Sequence, residues 1–372
     1  MDFDFTSEQN HMRDAVRIWA EREYDFKRRH AILAEGGFSR AAYTSLASLG
    51  LTALYAPEGL DGLGMGAVEA MVAMEELGRG LVLEPIGQAW VCSDLLSRFA
   101  PMTLREAWVP TIASGQRIAV LAQHETLDRR DAAACATHAI PTSDGRYRLD
   151  GCKRLVAIPD VADLYLLPAM LGERLALFLV ESGVEGVSVH TGRALDGGRV
   201  GTLVLQQASA EMICLDGTAA MRRSAALLIA AACAEGVGVM DRALALTVDY
   251  LRMRKQFSAT IGSFQSLRHR LADMQMALEL GRSMSYYATL MLDAPADEQQ
   301  RALSRAKCQL GESMRFVGQQ SIQLHGGIGM TDEHPVSHCF RRLTQLELMH
   351  GDMRYHLAQV SDAMQDVAGV IV

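Results

Sequence analysis

The chain has 372 residues, of which 49% are apolar and 22% charged, and a formal net charge of −8. A sequence pI near 5.8 excludes the broad basic face that nucleic-acid binding requires, and the apolar content excludes a disordered chain. The length predicts two or three domains of ordinary size.

Residues 1–5 carry no basic stretch followed by an apolar one, so no signal peptide is expected. Apolar runs such as 227–233 fall well short of the roughly 20 residues that span a bilayer, so no membrane association is expected. The cysteines at 92, 135, 152, 214, 233, 308 and 339 contain no Cys-x-x-Cys pair. An odd, scattered set reads as reduced thiols in a cytoplasmic protein, not as a disulfide framework or a zinc site.

In chain order, the first expected helix follows Thr6, which stands at capping-box spacing from Gln9; Met12, Ala15, Val16 and Trp19 recur at helical spacing behind it. A second helix is expected over 41–49, stopping at Gly50. Residues 57–64 read as a loop from their Gly and Pro content, and helices are expected over 68–77 and 88–99. Near Gly115 the pattern changes. Short segments over 117–123, 147–158, 162–168, 176–181 and 200–207 read as strands, with a hairpin turn at 143–146. From Thr218 onward long helices return, over 218–254, 264–292, 297–324 and 336–367. Leu267, Leu271, Met274 and Leu278 make one apolar stripe among them. The expected fold is α+β and multidomain: an N-terminal helical domain (1–115), a middle β-barrel or β-sandwich domain (116–216) and a C-terminal four-helix bundle (217–372).

Two polar clusters stand out. Arg252, Arg254 and Lys255, with Gln256 and Phe257 behind them and Gln265 further on, lie between two long helices. Such cations suit an anion such as a diphosphate; cations at a helix C-terminus also complement the helix dipole with no ligand at all. The second cluster, 323–331, holds Gln323, His325 and the glycines 326, 327 and 329. It reads either as a turn that lets backbone N–H groups approach a ligand, or as a helix C-cap. His334 and His338 are four apart with no third ligand in view, so no metal site is expected.

Taken together, Arg-Lys-Gln-Phe, then Phe-Gln, then Gln-x-His-Gly-Gly-x-Gly in helices after a β-domain resemble the acyl-CoA dehydrogenase family. The segments 5–9, 49–51, 57–64, 75–79, 149–153 and 162–163 carry the resemblance along the whole chain. It implies a flavoprotein using FAD. A carboxylate removes the α-proton of an acyl-CoA thioester while the β-hydrogen leaves as hydride, and an electron-transfer flavoprotein accepts the electrons. It implies that Arg254, Phe257, Gln265, Gln323, Gly326 and Gly327 reach the adenosine diphosphate half of FAD held by a neighbouring subunit of a tetramer.

The other half of the family pattern is altered. Where the family has Thr-Glu-Pro and Gly-Ser-Asp against the flavin ring, residues 123–131 keep only Glu125, and Leu155 and Ala157 replace the ring-facing Trp and Thr or Ser. The base is missing as well: one family position is His350, followed by Gly351 and Asp352, and the other is Leu228. His350 and Asp352 are the candidate catalytic residues, with Glu347 nearby; a charge on a helix surface is the plainer reading of the two carboxylates. The run 340–357 is similar to the smaller subunits of unequal pairs within the family, such as those acting in pimeloyl-CoA and steroid side-chain degradation. Three readings follow: a homo-oligomeric dehydrogenase with an unusual base, a subunit of a heterotetramer whose partner carries the base, or an inactive acyl-CoA-binding scaffold.

Overall fold

A computed structural model describes residues 4–126 and 135–368. They form two compact units, one of residues 4–30, 67–82 and 229–368, the other of 31–66, 83–126 and 135–228. Helices α1 (Ser7–Glu23), α2 (Phe26–Ala34), α3 (Arg40–Ser48), α4 (Ala67–Arg79), α5 (Ile86–Phe99) and α6 (Met102–Ala113) precede the strands. The capping box forms as expected: Gln9 N–H donates to Thr6 Oγ1 at 3.2 Å and Thr6 N–H to Gln9 Oε1 at 3.0 Å. It starts α1 in a register that buries Val16, Trp19 and Ala20. Helix α3 starts on Ser39 and gives way to Gly50 at φ 81°. Helices α2 and α6 lie outside the expected stretches. In α6 an internal Pro110 removes one backbone donor, and burial of Leu104, Val109, Ile112 and Ala113 holds the helix instead.

Strands β1 (Ala119–Leu121), β2 (His138–Pro141), β3 (Tyr147–Ala157), β4 (Leu164–Leu171), β5 (Arg174–Glu181), β6 (Val187–Arg193) and β7 (Arg199–Cys214) form one sheet. β5 pairs with both β4 and β7, and β2 links β3 back to β4, so the sheet closes on itself. This settles barrel against sandwich. Strand β4 is buried along most of its length, as a strand inside a closed sheet should be. The unexpected β6 is mostly exposed and reads Val-Ser-Val-His-Thr-Gly-Arg; its register against β7 supplies the order that its composition does not.

The long helices are α7 (Gly217–Met253), α8 (Gln265–Leu290) and α9 (Ala296–His325), followed by α10 (Pro335–Leu348) and α11 (Met353–Ala368). The last expected helix, 336–367, is therefore two. Helix α9 packs on α8, α10 and α11, and α4 on α1 and α8. Gly238 of α7 lies so close to α4 that a Cβ there would meet the Glu75 carbonyl oxygen at 1.8 Å, so only glycine permits this crossing. Helix α7 is long and apolar enough to cross a bilayer, but 83% of its most apolar 18-residue window is buried within the protein, as in a core helix.

The break between α10 and α11 has a physical cause. His350 and Gly351 take φ 58° and 92°. Lys307, fully buried on α9, donates to Glu347 O at 2.8 Å and Gly351 O at 3.0 Å. His356 Nε2 donates to His350 O at 2.9 Å. Two side chains thus satisfy carbonyls that a continuous helix would have used itself.

Candidate functional site

Helix α7 runs into a hairpin. β8 (Lys255–Gln256) pairs with β9 (Ala259–Thr260) around Phe257 and Ser258, both left-handed at φ 54° and 60°. That is the backbone of a two-residue hairpin turn, usually met by Asn-Gly. A phenylalanine there is strained and 86% exposed, its ring edge-on to Phe264 at 6.1 Å. Strain with exposure of an aromatic is the pattern expected of a residue kept for contact rather than for packing. The hairpin is tied to the helix end: Arg254 N–H donates to Tyr250 O at 2.9 Å, and Ile261 N–H to Arg254 O at 2.9 Å. Arg254 and Gln265 are exposed with Phe257.

The second cluster sits where α9 ends. Gln323 is exposed on its last turn, and Gly326 turns the chain at φ 64°, ψ −140°. A Cβ built on Gly326 or Gly327 would meet no heavy atom within 4 Å. The glycines therefore leave open space over the backbone for a ligand to approach. Tyr250 joins the two clusters. It lies one helical turn before Arg254, and its ring stacks on His325 at 4.6 Å and 25°. His325 was named in the sequence as part of its cluster, but Tyr250 was not. The available signal was an aromatic at position −4 from Arg254 and a histidine beside the paired glycines. The combination of a cationic arm, an exposed ring and open backbone fits the diphosphate end of a dinucleotide.

The β-domain treats its share differently. Glu125 follows the bridge that His124 makes with Arg154. Its carboxylate accepts from Lys153 Nζ at 2.5 Å, Thr137 Oγ1 at 2.7 Å and the N–H groups of Ala136 and Thr137 at 2.5 and 3.1 Å. Burial alone would raise its pKa; the Lys153 and Thr137 hydrogen bonds, with the Lys153 charge, outweigh that and hold it down at about 2. The one acid retained from the ring-facing stretch is thus a clamp on the barrel. The expected ring-facing positions 127–131 lie outside the described residues. Leu155, half-buried at φ 55°, sits in a bulge of β3 between Lys153 and Val156.

The candidate bases are placed as follows. Asp352 caps α11, its Oδ1 accepting Tyr355 N–H at 2.8 Å. Glu347, buried, takes Arg315 Nη2 at 3.1 Å and Met353 N–H at 3.2 Å through one oxygen. His350 is half-buried in the turn between α10 and α11. Leu228 is a buried apolar side chain of α7. Both carboxylates are thus committed to holding the turn. Among the described residues no group of three or more His, Cys, Asp or Glu side chains suits a metal ion.

A separate polar cavity of about 590 Å³ is lined by Arg13, Arg17, Glu75, Glu76, Arg79 and Arg282 among others. Arg282 Nη1 meets Glu75 Oε2 at 3.0 Å, yet burial pushes the Glu75 carboxyl up to about 7.

The chain resembles known proteins along most of its length. The family models for the N-terminal and C-terminal domains of acyl-CoA dehydrogenases match residues 6–116 and 216–365. Acyl-CoA dehydrogenase FadE27 of Mycobacterium tuberculosis is 30% identical over 88% of this chain and 88% of its own. The ChsE4–ChsE5 complex of Mycobacterium tuberculosis has a chain that superposes with a TM-score of 0.89 at 26% identity, covering 99% of this chain and 100% of that one. A steroid ACAD, Tcur3481–Tcur3483 in a G363A variant, also gives 0.89 at 26% identity, covering 97% and 99%.

Proposed function

The chain belongs to the acyl-CoA dehydrogenase family, and from that premise we propose that it is one subunit of an unequal pair, lending the cofactor's diphosphate end to a partner that carries the base. The family is enzymatic and oxidises acyl-CoA thioesters with FAD. The observation that carries the proposal is an asymmetry within one chain. The arm of Arg254, Phe257, Gln265, Gln323, Gly326 and Gly327 is intact and faces outward, while Glu125 is locked to Lys153 and the base turn has no uncommitted carboxylate.

In this reading Arg254 meets the diphosphate through its planar fork, and the open backbone at Gly326 and Gly327 lets N–H groups reach it. Phe257 covers the adenosine end, with Gln265 and Gln323 as polar partners. When bound, FAD supplies the acceptor for the β-hydrogen. Exposed Met253 on α7 and Met276 and Leu280, one turn apart on α8, offer apolar surface to the partner. Two solved neighbours that are pairs, Tcur3481–Tcur3483 and ChsE4–ChsE5, support the same arrangement. A steroid-derived acyl-CoA is the substrate class to test first, since Tcur3481–Tcur3483 is a steroid ACAD; an electron-transfer flavoprotein is the expected acceptor, and the cytoplasm the expected location.

Reconstitution tests the proposal. The chain alone should turn over no acyl-CoA, and co-expression with a base-bearing family member should restore turnover that survives both His350→Ala and Asp352→Ala. The second reading, in which His350 is itself the base, draws on its left-handed backbone between two side-chain anchors. It predicts activity of the chain alone, abolished by His350→Ala, and that result would end the unequal-pair account.

A further inference from the structure

Two rings adjoin the arm in sequence: Tyr250, half-buried, four residues before Arg254, and His325, buried, directly before Gly326. His325 is the last residue of α9 and 3% exposed. Its Nδ1 stands 2.8 Å from the Ser321 carbonyl oxygen, which can only accept, so Nδ1 carries the proton. In the neutral ring Nε2 then carries no proton; it is buried, and the backbone of Leu246 on α7 also acts on the ring. Burial lowers the basicity of the ring. The neutral ring lies flat against Tyr250 at 4.6 Å, and His334 leans on it at 4.7 Å and 54°. His334 is itself oriented, its Nδ1 accepting Val336 N–H at 3.3 Å.

The position of this stack in the chain gives it consequence. Tyr250 is four residues before Arg254, which directly follows the last residue of the same helix, and its carbonyl receives the Arg254 N–H. His325 is bonded in sequence to Gly326. One ring therefore moves with the cationic hairpin and the other with the glycine turn. The hydrogen bond to Ser321 lies within α9 and does not link the two clusters; the ring contact does.

We propose that the Tyr250–His325 stack sets the spacing between the Arg254 arm and the Gly326–Gly327 turn, making both rings positioning residues for the diphosphate end of the dinucleotide. This rests on the cofactor role of the arm argued above. A ring pair of this kind is worth enough to shift affinity about 3- to 10-fold when it fixes a binding geometry.

The test is FAD titration of the apo assembly, in whatever homo- or heteromeric form it purifies, followed by flavin fluorescence for a set of variants whose melting temperatures are recorded. His325→Phe keeps a flat ring and loses the Ser321 bond; His325→Asn keeps a donor and loses the ring. The stack predicts FAD affinity within about 2-fold of wild type for Phe and a loss of roughly 3- to 10-fold for Asn. Tyr250→Leu should match Asn, and the double variant Tyr250→Leu/His325→Asn should be no weaker than either single one, because one contact is lost only once. Tyr250 is only half-buried, so its variant keeps the test alive if a His325 variant fails to fold. Arg254→Ala is the control: if it leaves affinity unchanged, the cofactor role of the arm fails and this inference falls with it. If Arg254→Ala weakens binding while Asn and Leu do not, or if Phe is as weak as Asn, the arm stands and the stack is overturned.

Discussion

Lys153 and Glu125 form an ion pair inside the barrel, at 2.5 Å. Lys153 is fully buried and Glu125 nearly so, which makes the loss of one partner far worse than the loss of both. Lys153→Met should cost about 3 kcal/mol or more in chemical denaturation, and Lys153→Met/Glu125→Gln should recover much of it. The folded protein keeps the Glu125 carboxyl ionised down to about 2, below its ordinary 4.5. Its contribution is therefore full above pH 4.5 and is lost as pH falls toward 2. Acid unfolding of the Lys153→Met variant should begin at higher pH than that of the wild type.

Glu75 has the opposite sign. Burial raises its carboxyl to about 7, against the pull of Arg282 and Arg13. Between pH 4.5 and 7 the folded state holds a proton that the unfolded chain has released, so stability falls as pH rises through that window, by up to about 3 kcal/mol. Glu75→Gln should flatten this dependence, and melting curves at pH 5 and pH 8 measure it. A variant with the wild-type slope would show that another group titrates.

At the scale of elements, the hairpin of β8 and β9 separates function from stability. Phe257 is so exposed that Phe257→Ala should change stability by no more than about 0.5 kcal/mol, while FAD affinity falls. Ser258 is a left-handed residue where the turn favours glycine. Ser258→Gly should leave stability equal or raise it by roughly 0.5 kcal/mol; a loss would mean that the serine side chain has a role of its own. The hairpin was not legible in the sequence because Phe-Ser is not a turn dipeptide. The break after α10 was hidden for a different reason: Lys307 is 40 and 44 residues from the two carbonyls it holds. Strand β6 likewise takes its order from its pairing with β7. By contrast, the capping box of α1, the stop at Gly50 and the long helices were legible, because each rests on contacts close in sequence.

For the whole molecule, the order of helical, strand-rich and helical parts followed from changes in hydrophobic period, and a sheet that closes on itself required the pairings of β5. The two polar clusters were legible, but their connection through Tyr250 and His325 was not, since a ring stack leaves no pattern in spacing. The unequal division of labour is the central claim, and FAD counted per chain tests it most directly. The chain purified alone should be nearly colourless, and the complex co-purified with a base-bearing partner should carry FAD at less than one per chain, lost on Arg254→Ala. One FAD per chain in the protein purified alone would contradict the account, because this β-domain would then hold the ring unaided.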